Sequence, residues 1–172
     1  MKAERSLKSR ALQLLAQRDQ SRLELRRKLL RHARGRDADA DAEVDPAAVA
    51  GEVDALLDWL EANRFLSNAR FAESRVNARQ ARFGLQRIRS ELAQHAVELP
   101  PELEASLAAS EIDRAAAVRA RRFARLPADA AERAAQSRFL LGRGFSPEHV
   151  QRLMRRLGRP GAVASDGATG AD

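Results

Sequence analysis

The chain has 172 residues, no cysteine, 4% aromatic residues, and 31 basic against 24 acidic residues. This length suits one domain or a short run of repeats, and the lack of cysteine excludes a disulfide framework and a thiolate metal site. No apolar run approaches the roughly 20 residues that cross a membrane, and the first residues lack the apolar segment of a secretory signal. We therefore expect a cytoplasmic protein that does not bind membranes.

The net charge of +7 is distributed unevenly along the chain. Residues 1–36 contain 12 basic and 3 acidic residues, whereas residues 37–63 contain 9 acidic residues and no basic one. The later segments are modestly basic, with a net charge of +4 in residues 64–99 and again in residues 100–157. This segregation indicates two neighbouring surfaces of opposite charge, which either pack against each other or each face a partner.

Alanine, leucine, arginine and glutamate dominate nearly every stretch, which favours helices over strands. In chain order, apolar spacing and capping residues predict nine helices, at residues 4–18, 21–33, 46–62, 67–82, 84–96, 101–109, 111–125, 129–142 and 146–157. Residues 34–45 are acidic and lack an apolar face, so we expect a linker there. Residues 158–172 are expected to form a disordered tail.

Explicit capping signals mark several of these helix starts. Ser21 stands three residues before Glu24, which is the spacing of a capping box. Asp45 precedes a proline at the first helical position, and Ser146 precedes another. These signals predict where the second, third and ninth helices begin.

An internal repeat emerges when helix starts are compared. The segment that begins at Ser21 aligns with the segment at Gly84, 63 residues later, and a further copy begins at Ser146, after another 62 residues. The aligned inward positions are Leu25 and Leu29, Ile88 and Leu92, and Val150 and Met154. We predict an all-α fold of tandem three-helix repeats, elongated and curved. The predicted repeats are residues 1–63, 64–110 and 111–157.

Basic side chains on the second helix of each helix pair are the candidate partner-binding residues. They are Arg22, Arg26, Arg27, Lys28, Arg31, Arg87, Arg89, Arg152, Arg155 and Arg156. We call the basic side chains of each such helix a ridge. Any one ridge on its own is typical of a solvated helix face. Because the ridges recur, stacked repeats would align them on one surface that suits phosphates or an acidic protein groove.

Catalytic and metal-binding patterns are missing from the sequence. The three histidines lie far apart, and no serine, histidine and aspartate occur in a catalytic order. His32 and His95 occupy the same repeat position near predicted helix ends, where a protonated imidazole favours the helix dipole. We expect no enzyme activity, no cofactor and no metal.

The segment Leu57–Ser74, which reads LDWLEANRFLSNARFAES, resembles the central signature of the RecX family, whose members regulate the RecA recombinase. It is flanked in order by Ser21 to Leu29, by Gly84 to Leu92, and by Arg143-Gly-Phe-Ser146. The resemblance covers roughly residues 6–157.

Several positions depart from the family pattern. Ala33 and Ala96 stand where the family often has a helix-ending glycine, and Arg64 replaces the glycine of its Gly-Tyr-Leu motif. Asn68 replaces an acidic residue before Arg-Phe-Ala. Of the neighbouring aromatic residues, Phe71 is predicted to be buried, and Trp59 is predicted to be a partly exposed packing residue or an interface anchor.

The resemblance implies a regulator that binds RecA and the RecA–DNA filament. It would lie in the filament groove and limit filament growth, strand exchange, ATP hydrolysis and LexA-type coprotease activity, in DNA repair and the SOS response. The resemblance leaves a weak direct contact with DNA open. We expect a monomer.

Two other functions stay open. Short helix pairs with arginine-rich second helices also resemble helix-turn-helix units, so the alternative is a protein that binds DNA directly. The scarcity of aromatic residues speaks against a stacking platform for single strands. A generic helical scaffold would bind neither RecA nor DNA.

Overall fold

The structure, a computed structural model, describes residues 6–37 and 45–158, and these residues form nine helices and no strand. The helices are α1 (Leu7–Gln17), α2 (Arg22–Asp37), α3 (Pro46–Ala62), α4 (Asn68–Arg79), α5 (Leu85–Ala93), α6 (Pro101–Ala109), α7 (Glu111–Arg122), α8 (Ala130–Gly142) and α9 (Pro147–Leu157). The predicted all-α class is therefore confirmed.

The predicted linker at residues 34–45 is wrong at its beginning. Helix α2 continues to Asp37, four residues beyond the predicted end at Ala33. Ala33 is thus a buried residue inside the helix and does not end it. Residues 38–44 of the linker, and all of the predicted tail after Gly158, lie outside the described residues.

The chain divides into two compact units. The first unit comprises the described residues of Met1–Ala78 together with Arg89–Pro100, and the second comprises Arg79–Ile88 together with the described residues of Pro101–Asp172. Helix α5 is therefore shared between the two units. The division into three repeats and the curved, elongated shape stay predictions.

Helices α1 to α3 form the core of the first unit. Ser6 begins α1 by accepting a hydrogen bond from the Ser9 backbone N–H at 3.1 Å. The residues of this core are Leu7, Ala11, Leu14, Leu25, Leu29, Ala33, Val53, Leu57, Leu60 and Leu66. Their spacing of three and four residues puts them on one face of each helix, so the three apolar faces cover one another.

Helices α7 to α9 form the core of the second unit. Its buried residues are Ala115, Val118, Leu140, Phe145, Val150, Leu153 and Met154. Ser146 begins α9 as predicted, because its hydroxyl accepts a hydrogen bond from the His149 N–H. All six predicted inward positions of the repeat are buried: Leu25, Leu29, Ile88, Leu92, Val150 and Met154.

Three helices end in the same way, with a residue in the left-handed conformation. Arg64, Ala96 and Gly144 have φ angles of 61°, 53° and 80°, after α3, α5 and α8. After α5, the Val97 N–H donates to the Leu92 carbonyl oxygen at 3.1 Å, and the Ala96 N–H donates to the Ala93 carbonyl oxygen at 3.0 Å. These two bonds define a Schellman motif. Only one of the three ends has the glycine that this conformation favours.

Replacing Ala96 with glycine is expected to stabilise the first unit. The left-handed conformation costs a residue with a Cβ atom about 1–2 kcal/mol, and the greater freedom of glycine in the unfolded chain removes about 0.4–1 kcal/mol of that gain. The net increase in the free energy of unfolding should be about 0.5–1 kcal/mol, measured by urea denaturation. Ala33→Gly is the matched control, and it should cost about 1 kcal/mol because Ala33 lies within a helix. A loss of stability in Ala96→Gly would contradict the explanation.

Candidate partner-binding surfaces

Some of the basic side chains of α2 form ion pairs within the protein. Arg22 forms ion pairs with Asp58 at 2.6 Å and with Glu61 of α3. Arg26 holds the Asp54 carboxylate with two hydrogen bonds, at 2.6 and 2.9 Å. These bonds from Arg26 lower the pKa of Asp54. The acidic face of α3 therefore lies against the basic face of α2. Arg22 and Arg26 are already paired within the protein, and their role as partner-binding residues stays a prediction.

A second set of contacts involves Lys28, whose ammonium group lies 2.8 Å from the Glu24 carboxylate. Arg18 binds the same carboxylate through both terminal nitrogens. In residues 6–37 and 45–158, the structure gives no hydrogen bond or ion pair to the exposed guanidinium groups of Arg27 and Arg31. Of the five predicted residues on α2, these two are thus the ones most available to a partner.

Glu24 is expected to make the stability of the first unit depend on acidity. Partial burial by itself would raise the pKa of Glu24, but the hydrogen bonds from Arg18 and Lys28 outweigh it and lower this pKa to about 2. The ionised carboxylate is thus favoured in the folded state, so its contribution is complete above about pH 4.5 and is lost as the pH falls through about 2.

The variant Glu24→Gln tests this dependence. At pH 7 it should lose about 1 kcal/mol, because Arg18 is half exposed and water screens the pair. As the pH falls to about 2, most of the difference from the unmodified protein should be lost, as measured by urea denaturation at both pH values. Glutamine at this position leaves the Ser21 cap intact, because the Ser21 hydroxyl accepts from the residue 24 backbone N–H at 3.1 Å. A difference independent of pH would contradict the assignment.

In the second unit, Arg87 belongs to a cluster of arginines around one aromatic ring. The guanidinium carbons of Arg79, Arg82, Arg87 and Arg143 all lie 5.4–5.8 Å from the centre of the Phe83 ring. We call these five residues the Phe83 cluster. Four cations at cation–π distance from one ring create a strongly positive patch, which suits phosphate or carboxylate groups. Of these arginines, the sequence pattern predicted Arg87 alone, because the other three lie outside the second helix of a repeat: Arg79 ends α4, Arg82 lies in the turn after it, and Arg143 follows α8.

The α9 ridge is also only partly available. Arg152 forms an ion pair with Glu148, one turn earlier on the helix. Arg155 and Arg156 are exposed, and neither has a hydrogen bond or ion pair within the described part of the chain. Arg89, on α5, is exposed and belongs to the first unit. The alignment of these ridges on one common surface stays a prediction.

A buried polar network at the start of α5 escaped the sequence analysis. The Glu111 side chain is fully buried, and its carboxylate accepts a hydrogen bond from the Leu85 N–H at 2.9 Å. The other carboxylate oxygen lies 2.6 Å from Nδ1 of His149, which also lies 2.7 Å from the Ser146 hydroxyl. Buried carboxylates are costly unless their oxygens are bonded. Glu111 therefore fixes α5 against the α7–α9 core of the second unit.

The structure corrects the interpretation of His95 as a protonated helix end. Burial, followed by the charge of Arg75, lowers the pKa of His95, so the neutral imidazole is favoured. Its ring packs at 5.0 Å against Phe71. The predicted burial of Phe71 is confirmed, with 2% of this residue exposed.

The structure also explains the Arg-Phe-Ala segment. Arg70 donates hydrogen bonds to the carbonyl oxygens of Arg64 and Phe65, at 3.1 and 3.0 Å, and so supports the end of α3. Asn68 accepts a hydrogen bond from the Arg22 N–H at 2.9 Å and so supports the start of α2. The segment stabilises the first unit.

An aromatic pair stands out on the surface of the first unit. Trp59 and Phe65 are 38% and 48% exposed, and their rings stack with centres 5.7 Å apart. The Lys8 ammonium group lies 3.7 Å from the centre of the Trp59 ring. The predicted partial exposure of Trp59 is confirmed, and its use as an interface anchor stays a prediction.

Within the described residues, no group of three or more histidine and acidic side chains could hold a metal ion. The same residues include no helix that is both long and apolar enough to span a bilayer. What the described surfaces offer is arginine in several settings: paired with carboxylates, clustered around an aromatic ring, or exposed.

Comparisons with known proteins relate this chain to one family. The family model described as "RecX, third three-helix domain" matches residues 109–154, which include α7 and α8 and most of α9. A protein named "Regulatory protein RecX" from Ralstonia nicotianae is 49% identical over 152 residues, which cover 87% of each chain. Proteins of the same name from Herbaspirillum seropedicae and Chromobacterium violaceum are 48% and 35% identical. The first alignment covers 85% of this chain and 87% of the relative, and the second covers 87% and 90%.

Proposed function

The chain belongs to the RecX family of regulatory proteins, and on this basis we propose that it binds RecA and the RecA filament on DNA. Binding would inhibit filament growth, ATP hydrolysis and coprotease activity in DNA repair and the SOS response. The observation that carries the proposal is the 49% identity to a RecX regulatory protein over 87% of both chains. We further propose that the protein acts in the cytoplasm as a monomer, with RecA as its partner.

The arrangement of charges supports a filament as the partner. Each unit offers exposed arginines without internal partners in the described residues, Arg27 and Arg31 in the first unit, and Arg155 and Arg156 in the second. Several modest contacts made by one chain add through effective concentration when the target repeats. A repeating filament of protein and DNA provides such a target. Arg22 and Arg26 are paired with carboxylates of α3, so they would act indirectly, by holding α2 in its orientation against α3.

Reversing the charge of Arg155 and Arg156 tests the proposal. The double variant Arg155→Glu/Arg156→Glu should inhibit the DNA-dependent ATPase activity of RecA about tenfold less well, because it places repulsive charges where attractive ones would dock. Its circular dichroism and urea midpoint should stay near those of the unmodified protein, because both side chains are exposed. The measurement is the concentration of the variant, or of the unmodified protein, that halves the ATPase rate of RecA.

The matched control is Arg10→Glu/Arg138→Glu, which changes the net charge equally at positions outside the predicted set. It should inhibit RecA as well as the unmodified protein does. If both double variants lost the same amount of RecA inhibition, the loss would be due to the change in net charge and not to Arg155 and Arg156 in particular. DNA binding across a salt series runs beside the assay. Tight binding to DNA with no effect on RecA would reverse the proposal in favour of the DNA-binding alternative.

A further inference from the structure

A buried arginine in the second unit lacks a negative partner. Arg119 of α7 is only 6% exposed. Its Nε donates a 2.7 Å hydrogen bond to the Gln136 side-chain oxygen, and a terminal nitrogen donates to the Arg125 carbonyl oxygen. Both acceptors are neutral. In the described part of the chain, no carboxylate forms an ion pair with Arg119, and burial is the one cause that lowers its pKa.

Such an arrangement is energetically unusual. A buried charge is normally paired, because the loss of hydration must be offset by an opposite charge and by hydrogen bonds. Two neutral acceptors satisfy only part of a guanidinium group that has five N–H donors. The fold therefore keeps a positive charge in a buried position without an opposite charge beside it, and such a charge favours a negative group that binds close by.

A cavity adjoins this arginine. It has a volume of about 420 Å³, and its lining includes both hydrogen-bond partners of Arg119, Arg125 and Gln136. The remaining lining residues are Arg122, Phe123, Ala124, Glu132 and Ala135. The exposed Arg122 and Arg125 add two positive charges, while Phe123 and the two alanines add apolar walls. The cavity thus combines positive charges with apolar walls, and its volume admits an amino-acid side chain.

We propose that this cavity is a docking pocket for one aspartate or glutamate side chain of a protein partner, whose carboxylate pairs with Arg122 and Arg125 of the lining. Arg119 holds two lining residues, Arg125 and Gln136, from the buried side and adds its positive charge to the pocket. The identification of that partner as RecA rests on the proposed function. Arginine is the residue best suited to hold a carboxylate, because its planar donors match the two carboxylate oxygens. The aliphatic stem of the incoming side chain would lie against Phe123.

The shape and charge of the pocket favour a protein carboxylate over a DNA phosphate. A phosphodiester backbone binds along open, basic surfaces, where many phosphates are contacted in a row. This pocket is instead a local depression lined by seven residues, and it has a carboxylate of its own at Glu132, which accepts a hydrogen bond from the Ala128 N–H at 2.9 Å. That carboxylate repels a row of phosphates more strongly than a single carboxylate.

Nuclear magnetic resonance of the full chain tests the pocket without RecA. The probe is glutarate, which has a glutamate-like stem, and the readout is the Nε–H resonance of Arg119. Glutarate should shift this resonance with a dissociation constant on the order of 10 mM, and neutral glutaramide should leave it in place. Arg122→Glu should weaken glutarate binding about tenfold, whereas Arg138→Glu, on α8 outside the pocket lining, should not.

Two results would overturn the proposal that this cavity binds a carboxylate side chain. One is no shift of the Arg119 resonance with glutarate. The other is tighter binding of inorganic phosphate than of glutarate at equal ionic strength, which would indicate a phosphate site. Each of these results leaves inhibition of RecA by the unmodified protein unaffected, so the pocket and the proposed function can fail separately.

A second measurement identifies the partner. Arg122→Glu should inhibit RecA ATPase activity about tenfold less well than Arg138→Glu. Equal inhibition by the two variants would overturn RecA as the source of the carboxylate. If the unmodified protein has no effect on RecA, the proposed function is wrong, and the glutarate titration alone decides whether the pocket binds carboxylates.

Discussion

Replacing Gly84 with alanine should destabilise the second unit by more than about 3 kcal/mol. Gly84 lies at the start of α5, directly against the turn that ends α8. A Cβ atom at this position would lie 2.2 Å from the Gly144 carbonyl oxygen and 2.3 Å from the Phe145 backbone nitrogen. Both are backbone atoms, so no side chain can move aside to make room.

The same contact is fixed by hydrogen bonds that alanine would break. The Gly84 N–H donates to the Arg143 carbonyl oxygen at 3.0 Å, and the Gln86 N–H donates to the Gly144 carbonyl oxygen at 3.1 Å. Moving the turn away would also disturb Phe145, which is fully buried in the α7–α9 core. The cost thus combines overlap, lost hydrogen bonds and lost packing.

Gly142→Ala is the matched control, because a Cβ atom at Gly142 meets no atom within 4 Å. As the last residue of α8, it should gain up to about 1 kcal/mol from the higher helix propensity of alanine. Urea denaturation followed by circular dichroism measures both variants. A Gly84→Ala variant as stable as the unmodified protein would mean that α5 and the turn are not in contact.

Replacing Glu111 with alanine should cost about 3–4 kcal/mol. The substitution removes both acceptor oxygens of a fully buried carboxylate, and so leaves the Leu85 N–H without its partner and His149 without the oxygen 2.6 Å from its ring nitrogen. It also opens a cavity at the base of α5. Such losses are not recovered from water, because the site is buried.

The variant Glu111→Gln separates the contribution of the negative charge from that of the hydrogen bond to the Leu85 N–H, which caps α5. The glutamine carbonyl can still accept from the Leu85 N–H, and the side-chain volume is kept, so the variant should lose about half as much, roughly 1–2 kcal/mol. The measurement is the free energy of unfolding of both variants. Equal losses would show that the charge itself, rather than the capping of α5, accounts for the role of Glu111.

Local sequence patterns predicted the helices well because the information is local. The Ser21, Asp45 and Ser146 caps, the proline starts and the inward leucine spacing act within one or two turns. The predicted end of α2 at residue 33 is too early, because the polar residues after it have no apolar face and yet continue the helix to Asp37. Ala33 aligns with Ala96, but only Ala96 adopts the left-handed conformation. Alignment of a repeat does not ensure that both copies end alike.

The candidate site was harder to predict, because the partners of a charge lie far along the chain. Arg26 and Asp54 are 28 positions apart, and Glu111 and His149 are 38 apart. A helical pattern shows which side of α2 is basic, but it does not show that an acidic helix covers it. Arg119 is one of several arginines on α7, and no helical pattern distinguishes it, so only its burial sets it apart.

The shared helix α5 has a consequence for the order of folding during synthesis. Ribosomes make the chain from its N-terminus, and domains generally fold as they become complete. The first unit needs Arg89–Pro100, so it cannot be completed when residue 78 emerges. Residues 79–88, made before that final piece, must wait for the helices of the second unit. A nascent chain stopped near residue 80 should therefore remain protease-sensitive, and one extended well beyond residue 100 should protect its first three helices.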